Sequence, residues 1–160
     1  MIDFRSIERK KDQLRELFNS RSVEHVVIDD FISVDSIENL LGEIPDPVEA
    51  GLRKSRDYIF AKNKYEKSDF SDYGSSLKGL KEDLLSARFR KLVSFITGED
   101  VFVDSDFHGG GLHQGGAGSF LNMHTDFNYH PLKEDWARSL NILIYLNPEW
   151  KSEYGGELKL

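Results

Sequence analysis

His124 and Asp126 are the residues whose types and spacing best suit chemistry. They close the run Gly118-Ser119-Phe120-Leu121-Asn122-Met123-His124-Thr125-Asp126, which reads as a strand. Successive side chains of an extended chain point to opposite faces. Leu121 and Met123 then share one face, while Phe120, Asn122 and His124 share the other, and Asp126 falls beside His124. One neutral imidazole and one carboxylate on a single face are two-thirds of the two-histidine, one-carboxylate set that holds non-haem Fe(II). His-x-Asp alone is a weak signal, and an ordinary strand histidine paired with a nearby aspartate is the plain alternative.

The flanking sequence strengthens the metal reading. The Gly-rich run His108-Gly109-Gly110-Gly111-Leu112-His113-Gln114-Gly115-Gly116-Ala117-Gly118 comes before it. Arg138-Ser139-Leu140-Asn141-Ile142-Leu143-Ile144-Tyr145-Leu146-Asn147-Pro148-Glu149-Trp150 follows, and then Gly155-Gly156-Glu157-Leu158. The order His-x-Asp, Arg…Tyr-Leu-Asn…Trp, Gly-Gly-x-Leu resembles the 2-oxoglutarate- and Fe(II)-dependent dioxygenases, and is most similar to their prolyl-hydroxylase branch. The resemblance covers roughly residues 108 to 160. Less specifically, Val26-Val27-Ile28-Asp29-Asp30-Phe31-Ile32 is also similar to that branch.

The resemblance implies a double-stranded β-helix, a cupin-like jelly roll. It implies His124 and Asp126 as Fe(II) ligands and catalytic residues, with 2-oxoglutarate and O2 as co-substrates and ascorbate as a further cofactor. Oxidative decarboxylation of 2-oxoglutarate to succinate and carbon dioxide would drive hydroxylation of an unactivated carbon on a peptidyl or small-molecule substrate. Tyr145 matches the tyrosine that binds the far carboxylate of the co-substrate. Leu143 and Asn141 share its strand face and would line the pocket, together with Leu158. Gln114 stands where the oxygen-sensing enzymes carry a second co-substrate-facing tyrosine. For Leu143 and Leu158, plain core packing explains the residues as well. Arg138 is expected to position rather than catalyse, through an ion pair with Asp126 or Asp135.

The elements that must position these residues follow from patterning. The chain has 160 residues, 39% hydrophobic and 31% charged, which fits one ordinary globular domain. Its net charge is -7, unsuited to gripping nucleic acid through phosphates. No apolar run approaches the roughly 20 residues of a membrane helix, and the charged N-terminus has no signal-peptide core. With no cysteine there is no disulfide or thiolate metal site. A cytoplasmic protein with neither nucleic-acid nor membrane partners is the expectation.

Apolar spacing predicts a helix over residues 6–19 capped by Ser6, a strand over Val23–Ile28, and a helix begun at Ser33 or Asp35 and stopped at Gly42. Residues 49–76 read as loop with a short strand near Tyr58–Ala61. Leu77–Thr97 reads as a helix in two pieces that break near Ser86 and end at Gly98. Strands are expected at Val101–Asp104, Gly111–Gln114, Gly118–Thr125, Ser139–Leu146 and Glu157–Leu160. Helices first and strands afterwards predict an α+β chain, with N-terminal helices (residues 1–98) packed on one sheet of a core that begins at residue 99. The glycines lack a helix directly after them, so a phosphate-binding loop is rejected.

A jelly roll needs about eight strands, and fewer are counted. The third metal-binding histidine of the family and its basic residue for 2-oxoglutarate have no counterpart in these residues. The sequence is therefore read as C-terminally truncated, with later strands missing. His130 lies about 20 Å from His124 in an extended strand, too far to replace the missing ligand. His108 and His113 precede the Gly-rich bend, so the chain could fold one of them back beside His124. For His113, however, a substrate-facing role and, above that, a purely structural one are favoured over ligation, and no residue present is a secure substitute. The alternatives are a non-catalytic jelly-roll binding module, or an inactive fragment.

Overall fold

The computed structural model of the protein describes residues 1–47, 53, 54 and 57–159. It contains helices and small antiparallel sheets, an α+β chain as the order of patterns predicted. Two compact units emerge: residues 1–45 with 69–107, and residues 46–68 with 108–160. No described helix is long and apolar enough to cross a membrane.

The first unit holds helices α1 (Phe4–Arg9), α2 (Lys11–Asn19), α3 (Val34–Gly42), α4 (Ser75–Leu85) and α5 (Ala87–Thr97). The single helix expected over 6–19 is two. Lys10 leaves helical geometry at φ -101°, ψ 2°, and its N–H turns to the Ile7 carbonyl. The break keeps both Phe4 with Ile7 and Leu14 with Phe18 buried. Asp3 rather than Ser6 caps the start, its carboxylate accepting the Ser6 N–H at 3.0 Å. The Val23–Ile28 strand does not form. Val23 and Val27 are exposed, and among the described residues the nearest pairing is a bridge between Ile2 and Ile32, beyond this segment. β-branched residues alone make no strand, because their worth lies in packing against neighbours.

The expected break in the long C-terminal helical stretch is present. Ser86 is extended, and its hydroxyl accepts the Phe89 N–H at 3.1 Å. Gly98, at φ 81°, ends α5 in the left-handed geometry that glycine tolerates. Leu77, Leu80, Phe89, Leu92 and Ile96 form the buried stripe, whereas Leu85 is exposed. Phe89 sits edge-on to Phe4 and Phe31, and Leu40 is wholly buried at 0% exposure. The N-terminus of α4 is capped from α3. Both oxygens of Glu43 accept backbone N–H groups, from Ser76 and Leu77, each at 2.9 Å. A side chain at Gly74 would run into that carboxyl group, so a larger residue there would displace the cap. Burial opposes ionisation of Glu43, but the donors outweigh it and hold its pKa below the ordinary carboxyl value.

The second unit is built on strands. β1 (Arg53–Lys54), β2 (Ala61–Lys67) and β3 (Leu112–Leu121) form one antiparallel sheet in that order. β4 (Tyr129–His130) and β5 (Lys133–Ala137) form a hairpin. The two strands expected at 111–114 and 118–125 are fused in β3. The register shifts at a bulge between them, with Lys62 opposite Phe120 and Lys64 opposite Gly115. Asn63, at φ 52°, faces the bulge and donates its side-chain N–H to the Ala117 carbonyl at 3.0 Å.

The strands expected at 101–104, 139–146 and 157–160 do not form among the described residues; of the last, Leu160 lies outside them. An extended segment becomes a strand only when a neighbour takes its backbone groups, and no described neighbour does so for 139–146. Residues 48–52, 55 and 56, most of them in the stretch read as loop, lie outside the described residues.

Candidate metal centre

β3 delivers the chain to the candidate ligands and ends just before them. The backbone pairing continues one residue beyond it, where the Asn122 N–H donates to the Phe60 carbonyl at 2.7 Å. The Asn122 side chain donates to the Ile59 carbonyl at 3.1 Å. Asn122 is thus held at both ends, and its own carbonyl in turn holds His124. The His124 Nδ1 lies 2.8 Å from the Asn122 carbonyl oxygen. A carbonyl can only accept, so Nδ1 carries the proton, and the lone pair of neutral His124 is on Nε2. Orientation of an imidazole by a backbone carbonyl is the usual support of a metal-binding histidine.

His124 and Asp126 lie beyond the last strand residue rather than within a strand, yet they meet. Nε2 of His124 is 3.5 Å from Oδ1 of Asp126. Two donor atoms each about 2.1 Å from a shared ion are about 3.0 Å apart at right angles and about 3.4 Å apart at the tetrahedral angle. The dyad is within a few tenths of an ångström of that span, so these two residues fit two cis positions on one ion. Among the described residues no third His, Cys, Asp or Glu completes a metal-binding group.

The other oxygen of Asp126 is engaged by protein. Oδ2 accepts from Asn141 Nδ2 at 2.9 Å and pairs with Arg138 Nη2 at 3.1 Å. Arg138 Nε donates to Asn141 Oδ1 at 2.8 Å, closing a triangle of three side chains. The expected ion pair of Arg138 is therefore made, and with Asp126. The Arg138 guanidinium lies over the Phe127 ring, 4.6 Å from its centroid. Its backbone N–H donates to Asn128. Gly109, at φ 70°, makes room for this stack, because a Cβ there would come within 2.8 Å of the Phe127 ring.

The remaining predicted residues are placed elsewhere. Gln114 lies in β3 opposite Tyr65, and His113 opposite Glu66. Partial burial of the His113 ring, with the Lys64 ammonium nearby, pushes its pKa below the ordinary 6.5, although the residue keeps much of its surface in solvent. Tyr145, Leu143 and Leu158 are exposed, at 60%, 57% and 57%. Among the described residues no hydrogen bond or ring contact joins Tyr145 to the dyad. Trp150 anchors its loop, donating from Nε1 to the Gly155 carbonyl at 3.0 Å.

Two histidines without an assigned role come together. His108 packs against His130, ring centroids 4.8 Å apart, and against Phe127 at 5.7 Å. His130 is buried beside Trp136, and its Nδ1 accepts the Leu132 N–H at 3.1 Å. That bond occupies the Nδ1 lone pair, which argues for a packing role. No local spacing announces the pair, since His108 comes from the turn before β3 and His130 from β4.

Residues 110–160 match the family model of the 2OG-Fe(II) oxygenase superfamily. The match supports a dioxygenase-type oxidoreductase for this segment, a class that uses Fe(II), 2-oxoglutarate and O2. No curated protein and no solved structure gives a significant match to the chain.

Proposed function

We propose that the chain supplies two metal ligands, His124 and Asp126, to an Fe(II)- and 2-oxoglutarate-dependent dioxygenase. On this reading it hydroxylates an unactivated carbon, with a prolyl or other peptidyl side chain as the substrate class. The core is then a double-stranded β-helix to which β3 and the segment 139–146 contribute. Tyr145, with Leu143, Leu158 and Gln114, faces the co-substrate. When bound, the iron and 2-oxoglutarate supply the oxidising chemistry, and the protein orients and excludes water. His124 would offer Nε2 and Asp126 Oδ1 to the ion.

The observation that carries this reading is the fixed tautomer of His124, whose Nδ1–H is tied to Asn122 while Nε2 faces Asp126 Oδ1. The test is an anaerobic Fe(II) titration of the full natural polypeptide, with and without 2-oxoglutarate. A weak visible charge-transfer band that needs both components and disappears in His124→Ala supports the assignment. No band in the parent protein sinks it. The second reading, a non-catalytic binding module, has one observation on its side: the contacts of Asp126 with Arg138 and Asn141 give the carboxylate a structural role of its own.

A further inference from the structure

The two oxygens of Asp126 have different surroundings. Oδ2 has two protein donors, Asn141 Nδ2 and Arg138 Nη2, whereas Oδ1 lies 3.5 Å from Nε2 of His124. We propose that Asn141 is a positioning residue that, with Arg138, reserves Oδ2 of Asp126 for protein donors and leaves Oδ1 as its single metal-facing oxygen. The inference rests on the metal reading above and deepens it.

The asparagine amide is the element that makes the arrangement one-sided. Its oxygen accepts from Arg138 Nε and its nitrogen donates to Asp126. The opposite amide orientation would set NH2 against a guanidinium and an oxygen against a carboxylate, both repulsive. Guanidinium and carboxylate therefore fix the amide, and the amide fixes the carboxylate. Phe127 beneath the guanidinium, with Gly109 beside the ring, limits how far Arg138 can swing. A sequence pattern that places Asn141 on the face of Tyr145 does not reveal this role, because the contact spans the turn from Asp126 to Arg138.

The consequence concerns the number of open coordination positions. On a six-coordinate ion, three protein ligands leave three positions, enough for a chelating keto acid and one further small molecule. An aspartate binding through both oxygens would remove one of those three. Engaging Oδ2 with two donors disfavours that mode, since the metal would have to displace a charge-assisted bond.

The test uses Co(II), whose visible bands report coordination number, in anaerobic titrations of the full natural polypeptide against a chromogenic chelator. Asn141→Leu keeps the volume and removes both hydrogen bonds, and Asn141→Ala is the second variant should the leucine disturb the fold. The expected result is a loss of affinity of about tenfold, a changed intensity of the Co(II) bands, and an unchanged Tm of the metal-free protein. Parent-like affinity and bands in both variants, with binding still abolished by His124→Ala, overturn the role of Asn141 and leave the metal reading standing. Co(II) binding by the parent that His124→Ala does not weaken, or no binding by the parent, overturns the metal reading and this inference with it.

Discussion

Among the described residues, the large apolar side chains that are buried all belong to the helical unit rather than the strand unit. In the helical unit Leu40, Leu77, Phe89, Leu92 and Ile96 are buried, and the helix ends are closed by caps from Asp3, Ser86, Gly98 and Glu43. In the strand unit Met123 is 81% exposed, and Tyr145, Leu143, Leu132 and Tyr129 also stand at the surface. Yet the strand unit carries the dyad and the match to the oxygenase superfamily. The buried core and the candidate ligands therefore belong to different units. The buried stripe of the helices resists unfolding, while the side chains suited to ligands lie on short, partly solvated segments held by hydrogen bonds.

That comparison yields graded predictions. The largest effect is expected from Phe89→Ala, which removes a ring packed on Phe4 and Phe31 and should cost about 3–5 kcal/mol in urea denaturation. Leu40→Ala and Leu77→Ala should follow at about 2–5 kcal/mol each. Glu43→Ala, which strips the cap from α4, should cost about 1–2 kcal/mol, and the loss should be read in helicity as well as in the denaturation midpoint.

The units also differ in their response to acid. His113 has a folded pKa below its ordinary 6.5, so the unfolded chain takes up its proton first. Its contribution to stability is whole above 6.5 and declines as the pH falls from there through the folded value. Glu43 likewise has a folded pKa below 4.5, and its contribution is lost only as the pH falls from 4.5 through the folded value. Denaturation midpoints between pH 7 and pH 5 should thus fall in the parent and less in His113→Gln, whereas Glu43→Gln should depart from the parent's acid response only in the lower window. Because His113 is substantially solvated, its effect should be small. Smallest of all, Leu143→Ala and Tyr145→Ala should stay within about 0.5 kcal/mol of the parent. A cost for Tyr145→Ala comparable to that for Phe89→Ala would break the contrast between the units.

Local signals were legible in the sequence wherever one residue sets the local geometry. Gly98 and Ser86 bound α5 as read, whereas His124 and Asp126 meet beyond the strand on which the spacing argument put them. Two of the misses have a plain physical reason. Lys10 divides a helix that periodicity alone makes continuous, because packing of Phe4 and Ile7 as well as Leu14 and Phe18 outweighs propensity. Val23–Ile28 and Ser139–Leu146 have strand composition without a described ladder partner, and a strand is a property of a pair. At the site, the type and spacing of residues brought His124 to notice. They did not reveal Asn141 beside Asp126, since the folding of an intervening hairpin makes that contact.

The cap on α4 has a consequence for how motion is observed. First-turn amides of a helix lack partners within it and ordinarily exchange with solvent early. Here the Ser76 and Leu77 amides are bonded to a carboxylate 33 and 34 residues away in sequence, at the end of α3. Their exchange in heavy water is then a gauge of the docking between two helices rather than of fraying at one. Protection at these amides that vanishes in Glu43→Ala, while the middle of α4 stays protected, would give a residue-level readout of that joint opening and closing.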